Sequence, residues 1–213
     1  MGGRKKSKSP LAPPPAAYHH GDLREALVQA GVAILEENGL AALTLRETAR
    51  RAGVSHAAPY HHFADKEALL AAVAARGFQM QREEMTLAAN QLAQKNDELQ
   101  AYGLTYAAFA QAHPSLFRLM YSLGKAKVPS SDELNKAAAS VYEGILDGIC
   151  EKTGCDRKQA QSIALLLWSS VHGITMLWLD GQFEGPDSPP LDALAFQVTE
   201  ALGPVLRQQN PAA

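Results

Sequence analysis

Cysteine is scarce: Cys150 and Cys155 are the only two thiols in 213 residues. A single pair builds no disulfide framework and lacks the doubled spacing of a zinc site. The thiols are read as ordinary side chains of a reducing cytosol. Net charge is nearly missing too, at -2, so the whole-chain balance does not point to nucleic acid. Between Tyr18 and Lys66 the cations Arg24, Arg46, Arg50, Arg51 and Lys66 are outnumbered by Asp22, Glu25, Glu36, Glu37, Glu47 and Asp65. Any basic surface must be local, built from Arg46, Arg50, Arg51, Lys66 and the N-terminal tail. No Ser/His/Asp or Cys/His set, glycine-rich phosphate loop or acid pair stands out, so no residue is assigned a catalytic role and no cofactor is expected. His19 and His20 are adjacent and without a carboxylate or cysteine partner, which suits a phosphate contact better than a metal. The basic N-terminal stretch has no apolar core behind it, so no secretory signal is read and the expected location is the cytoplasm.

What is present is 46% hydrophobic and 20% charged residues, an ordinary balance for a soluble globular chain with room for a substantial core. Residues 1–17, rich in Pro, Gly, Ser and Lys, are expected to be a disordered basic tail. It is either a solubilising tail or an arm that reaches DNA phosphates or a minor groove. A first helix opens at Asp22, with Leu23, Leu27, Ala30 and Ile34 as its buried stripe, and Asn38-Gly39 stops it.

The most informative stretch runs from Thr44 to Phe63. Thr44 and Glu47 have the spacing of a reciprocal capping pair, and Leu45, Thr48, Ala49 and Ala52 recur on one side of a short helix. Gly53 suits the left-handed turn, Val54 the gap between helices, and Ser55 the cap of a second helix. On that second helix His56 and Tyr60, and Ala57 and His61, form an exposed face suited to a major groove, while Ala58, His62 and Phe63 turn inward.

The run from Ala52 to Leu70 resembles the recognition segment of the TetR family of bacterial transcription regulators. Ala52, Gly53, Val54, Ser55, Tyr60, His62, Phe63, Lys66, Glu67, Leu69 and Leu70 stand where that family's pattern has them, over roughly residues 21–81. Pro59 departs from it, replacing a usual Leu or Ile and removing one backbone hydrogen bond. The resemblance implies an all-α fold: a three-helix DNA-binding head with a helix-turn-helix, and a larger helical body for ligand binding and dimerisation. The candidate DNA contacts are Thr44, Arg46, Ser55, His56, Ala57, Tyr60, His61 and Lys66, the last by likeness to a phosphate-contacting family position.

Residues 82–213 are assigned to the body. Asp65 can cap the helix that joins it to the head, and Ser130 with Glu133 reads as a later capping pair. Tyr102, Tyr106 and Phe109 lie on one side of a helix, and a short helix opened by Pro114 carries Phe117, Met120 and Tyr121. With Trp168, His172 and Met176 they describe an apolar space with a few polar tips, the lining of a small-molecule site for an apolar or aromatic effector. From Lys158 to Asp180 no charge intervenes, long enough to cross a bilayer, but Gln159, Gln161, Ser169 and His172 favour a helix buried on both sides. One stripe is Ile163, Leu166, Leu167, Ser170, Ile174 and Leu177; the other is Trp168, His172 and Met176. Trp168, His172 and Gly173 also resemble the Trp and His-Gly signature of one C-terminal class of TetR-like regulators. A last helix places Leu191, Leu194, Ala195, Val198, Leu202 and Val205 on one face.

The resemblance implies that the last two long helices of each subunit form a four-helix dimer interface. The expected partners are double-stranded DNA with a palindromic operator, a second copy of the chain and a small effector, with no membrane and no metal. The rival reading is an all-helical small-molecule carrier or enzyme without DNA binding; a third is an architectural DNA binder.

Overall fold

The computed structural model describes residues 20–92, 98–122, 131–185 and 187–208, and within them eight α-helices and no strand. In chain order these are α1 (His20–Asn38), α2 (Leu45–Arg51), α3 (Lys66–Leu92), α4 (Glu98–Ala112), α5 (Pro114–Ser122), α6 (Asp132–Thr153), α7 (Arg157–Leu179) and α8 (Leu191–Gln208). A 3-10 turn, Ala58–His61, sits between α2 and α3. The tail at 1–17, His19 and Ser130 lie outside the described residues.

The helix ends follow local chemistry. Asp65 accepts the Ala68 N–H at 2.7 Å at the start of α3, as its position before an apolar run suggests. Asp156 and Gln159 cap α7 reciprocally, at 2.8 and 3.2 Å. At α6 the reading shifts by one residue. Ser131 is the cap, its hydroxyl accepting the Leu134 N–H at 3.1 Å, and Glu133 is taken by Arg24 of α1 at 2.5 Å. A guanidinium held on both oxygens outweighs a neutral amide for that carboxylate.

One core runs through the described chain. Leu27 and Ile34 of α1 and Leu69 and Val73 of α3 join Phe109 of α4 and Phe117 of α5 within it. α3 has 27 residues, so at about 1.5 Å per residue it spans roughly 40 Å, packing on α1 near its start and on α4, α5 and α6 further along. It is the mechanical link between the reading end and the body.

α7 departs from the expected stripes. Its inward face is Ala160, Ile163, Ala164, Leu167, Val171 and Thr175, set against α4, α6 and α8. Leu177, placed in a buried stripe by periodicity, is 48% exposed, and Leu166, Ser170 and Ile174 are half-buried. Among the described residues the far side of α7, with Leu165 and Leu177, stays exposed, and the sequence pattern averages over that side. By length and composition α7 is the one helix among the described residues that could cross a membrane. Here it takes the place of a bundle helix.

Candidate nucleic-acid interface and internal pocket

α2 starts at Thr44, whose hydroxyl accepts the Glu47 N–H at 3.2 Å. The return half of the capping pair is missing, because both Glu47 oxygens hold Arg50, at 2.6 and 2.8 Å. Arg51 is likewise held by Glu37 of α1, with both contacts at 2.5 Å. These guanidinium bonds keep the Glu47 and Glu37 carboxyls below the usual range. Two of the four expected surface cations are thus spent on the scaffold. Arg46, exposed, and Lys66, half-buried, form no ion pair among the described residues.

Gly53, with φ +71°, turns the chain. Its N–H donates to Arg50 O at 3.2 Å and the Val54 N–H to Ala49 O at 3.0 Å, the two bonds of a Schellman ending. The α-helix expected next does not form. Pro59 has no N–H to give Ser55, and its ring crowds that carbonyl, so Ser55 O accepts the Ala58 N–H at 3.0 Å instead. The following bonds, Tyr60 N–H to Ala57 O and His62 N–H to Pro59 O, keep the tighter i to i+3 pattern. Ser55 therefore does not cap an α-helix with its side chain: the 3-10 turn begins after Ala57 and has no side-chain cap.

The turn still delivers the expected display. His56, Ala57, Tyr60 and His61 are exposed, Tyr60 at 62%, while Pro59 and Phe63 are buried beneath them and Ala58 and His62 are half-buried. Thr44 and Ser55 are also exposed at this end of the molecule.

In the body a cavity of about 410 Å³ is lined by Phe78, Tyr106, Tyr121, Val141, Tyr142, Trp168 and neighbouring residues. Tyr106 Oη lies 2.7 Å from His172 Nδ1 and accepts the Trp168 indole N–H at 3.3 Å. Tyr121 donates to Gln81 Oε1 at 3.0 Å, and the buried Gln81 keeps its Nε2 without a partner. Burial pushes the Tyr106 hydroxyl well above its ordinary pKa and raises that of Tyr121, so both remain neutral donors. Phe117, His172 and Tyr121 stack in one cluster, with Phe117 and Tyr121 centroids 4.8 Å apart.

Tyr106, Tyr121 and Trp168 thus share one wall as expected, and Tyr102 stands beside it in an adjoining slot. Phe109, Phe117 and Met120 pack in the core, Met176 packs partly buried against it, and His172 supports Tyr106 from behind. Sequence reasoning missed Phe78 on α3 and Ala138, Val141, Tyr142 and Ile145 on α6. The available signal was Val141, Tyr142 and Ile145 at helical spacing.

Two polar ties join the cavity wall to the head. Glu36 of α1 accepts the Ser115 and Leu116 N–H groups at the start of α5, at 3.3 and 2.8 Å. Arg24 of α1 holds Glu133 in the first turn of α6 while its guanidinium lies 5.4 Å from the Phe63 ring centroid. The helices that carry Tyr121 and Tyr142 are therefore tied to α1, whose Arg24 also packs on Phe63 beneath the exposed turn. Glu36→Ala should lower stability by about 1 kcal/mol through the lost cap, read as a reduced urea midpoint with unchanged slope.

A helix-turn-helix end joined by one continuous helix to a hollow helical body is the build of a DNA-binding transcription regulator that responds to a small molecule. Residues 27–73 match the bacterial regulatory proteins of the tetR family, and residues 99–202 match the tetracyclin repressor-like C-terminal domain. The chain belongs to the TetR family. A protein of unknown function from Rhodococcus sp. RHA1 is 30% identical, with a TM-score of 0.74 over 92% of this chain and 99% of that one. A tetR-family transcriptional regulator from Streptomyces coelicolor is 19% identical, with a TM-score of 0.64 over 90% of each chain. The multidrug binding protein EbrR, complexed with imidazole, is 20% identical, with a TM-score of 0.59 over 89% of this chain and 96% of that one. No curated protein sequence matches. The C-terminal match carries no Trp/His-Gly designation.

Proposed function

We propose that this regulator is a homodimeric repressor that leaves a palindromic operator when a small apolar or aromatic molecule fills the cavity between α3, α4, α5, α6 and α7. Residues 21–81 are its reading head, with 44–63 as the helix-turn-helix, and 82–213 its effector and dimer body. The observation that carries the reading is the exposed apex of His56, Ala57, Tyr60 and His61, flanked by the unpaired cations Arg46 and Lys66. Tyr60 and the two histidines meet base edges; Arg46, Lys66, Thr44 and Ser55 position the apex on phosphates. Nothing in this scheme asks for catalysis, a cofactor or a metal, and its place is the cytoplasm, where the operator is.

The dimer forms through α7 and α8. Leu177 at 48% and Phe196 at 43% exposure stand on the outward sides of those helices, where a second copy covers them. The switch follows from the two ties to α1. A ligand that moves Tyr121 on α5 and Tyr142 on α6 shifts the helices that Glu36 and Arg24 hold, and so changes the spacing of the two apices. A difference of roughly 1 to 3 kcal/mol in ligand affinity between the two arrangements is enough for regulation.

A gel-shift titration with DNA flanking the gene, run at two salt concentrations, tests this reading. The expected result is a specific shift that prefers a palindrome and weakens steeply with salt. Binding without sequence preference would leave an architectural protein, and no shift would leave a small-molecule carrier.

A further inference from the structure

The cavity does not end at Tyr106 and Trp168. A second hollow of about 230 Å³ opens between α3, α4 and α6, with Arg82, Thr86, Tyr102, Asp147 and Glu151 in its lining. The two chambers share Val141 and Ile145, and a slot of about 20 Å³ bounded by Tyr102, Tyr106 and Ile145 lies between them. Tyr102 is the partition. Its ring reaches over α6 at Gly148, where a β-carbon would collide with the tyrosine hydroxyl, so the absence of a side chain at Gly148 sets where Tyr102 rests.

The chambers differ in chemistry. Among the described residues no charged side chain lines the inner one. A charged group there would be stripped of water with no counter-ion, which disfavours it. The outer chamber holds both signs: Arg82 on one side, Asp147 and Glu151 on the other, with Asp147 already paired to Arg157. An anionic head would gain Arg82 and meet Glu151; a cationic head would do the reverse. An ether, hydroxyl or amide takes hydrogen bonds from Arg82 with neither penalty, while the Thr86 hydroxyl already donates to the Arg82 carbonyl at 2.8 Å.

We infer that the effector is a two-part molecule, with an uncharged aromatic body in the inner chamber and an uncharged polar chain that passes Tyr102 into the outer one. This rests on the reading of the inner cavity as the effector site, and it names the class of compound that site takes.

Two probes separate the ideas: N-phenyl-1-naphthylamine, and the same amine carrying a tri(ethylene glycol) chain. Binding is read by quenching of Trp168 in a Trp178→Phe background, where it is the sole indole. The extended probe should bind roughly tenfold tighter, the worth of one or two hydrogen bonds. Arg82→Ala, an exposed position, should cut that advantage to about twofold, and Gly148→Val should do the same by forcing Tyr102 across the passage. Equal affinity of the two probes, or an advantage that survives both substitutions, overturns the two-part ligand while leaving the inner site in place. Failure of both probes to bind, beside an intact operator shift, removes the effector site and this inference with it; failure of the extended probe alone overturns the two-part ligand.

Discussion

Tyr60→Ala loses sequence-specific operator binding while the protein still folds and still forms its dimer. At 62% exposure the ring contributes nothing to the core, so its removal cannot act through stability. A lost base-edge contact costs about 1 to 3 kcal/mol, and a dimer loses two of them, so operator affinity falls by roughly 30-fold to more than a thousandfold. Non-specific binding, carried by phosphates, stays near the wild-type level. Arg46→Ala is the contrast: it weakens specific and non-specific binding alike and flattens the salt dependence. Gel shifts of both variants on operator and scrambled DNA decide the matter. An unchanged operator preference in Tyr60→Ala would mean that the apex faces something other than the groove.

Gly173→Arg turns the dimer into a monomer that no longer holds its operator. A β-carbon built at Gly173 meets nothing within 4 Å, so a large side chain there leaves the isolated subunit undisturbed. In the proposed α7–α8 dimer the same position would face the partner's helices, and a guanidinium buried there without a counter-ion would drive the copies apart. Without a second apex held at a fixed distance, the gain from joining two half-sites disappears, roughly 10² to 10⁴ in affinity. Sedimentation should show half the wild-type mass with the far-ultraviolet helical signal retained. A variant that stays dimeric would place the interface elsewhere than on this face of α7.

Much of the fold was legible in short-range chemistry. Asp65 caps the helix it was expected to cap, and Gly53 closes α2. Each of these depends on neighbours within a few residues, which a sequence displays directly. Ser130 and Ser131 show the margin of error: two adjacent hydroxyls fit one cap equally well until Glu133 is known to be engaged by Arg24, 109 residues away. The reading element shows a different limit. Its exposed set was readable from spacing, but the tight 3-10 path was not, because spacing records which residues face out and not how the backbone meets the demand of Pro59.

The cavity was half legible. Tyr106, Tyr121 and Trp168 were visible as aromatics at helical spacing, yet Phe109 and Phe117 have the same signature and are wholly buried core. An aromatic side chain looks the same in sequence whether it fills space or borders it. The α6 wall escaped notice because Val141, Tyr142 and Ile145 are ordinary residues that become a surface only when α3 and α7 stand off from them.

By itself the sequence determined most of the helices, several of their ends, the order of head and body, and the residues shown at the apex, since periodicity and capping act over one or two turns of chain. Only the tertiary structure decided that Arg51 belongs to the scaffold, that Glu36 and Arg24 tie the head to the pocket walls, and where the hollow lies. Those are relations between groups up to 109 residues apart. A charge or an aromatic ring takes its role from the partner that folding brings beside it.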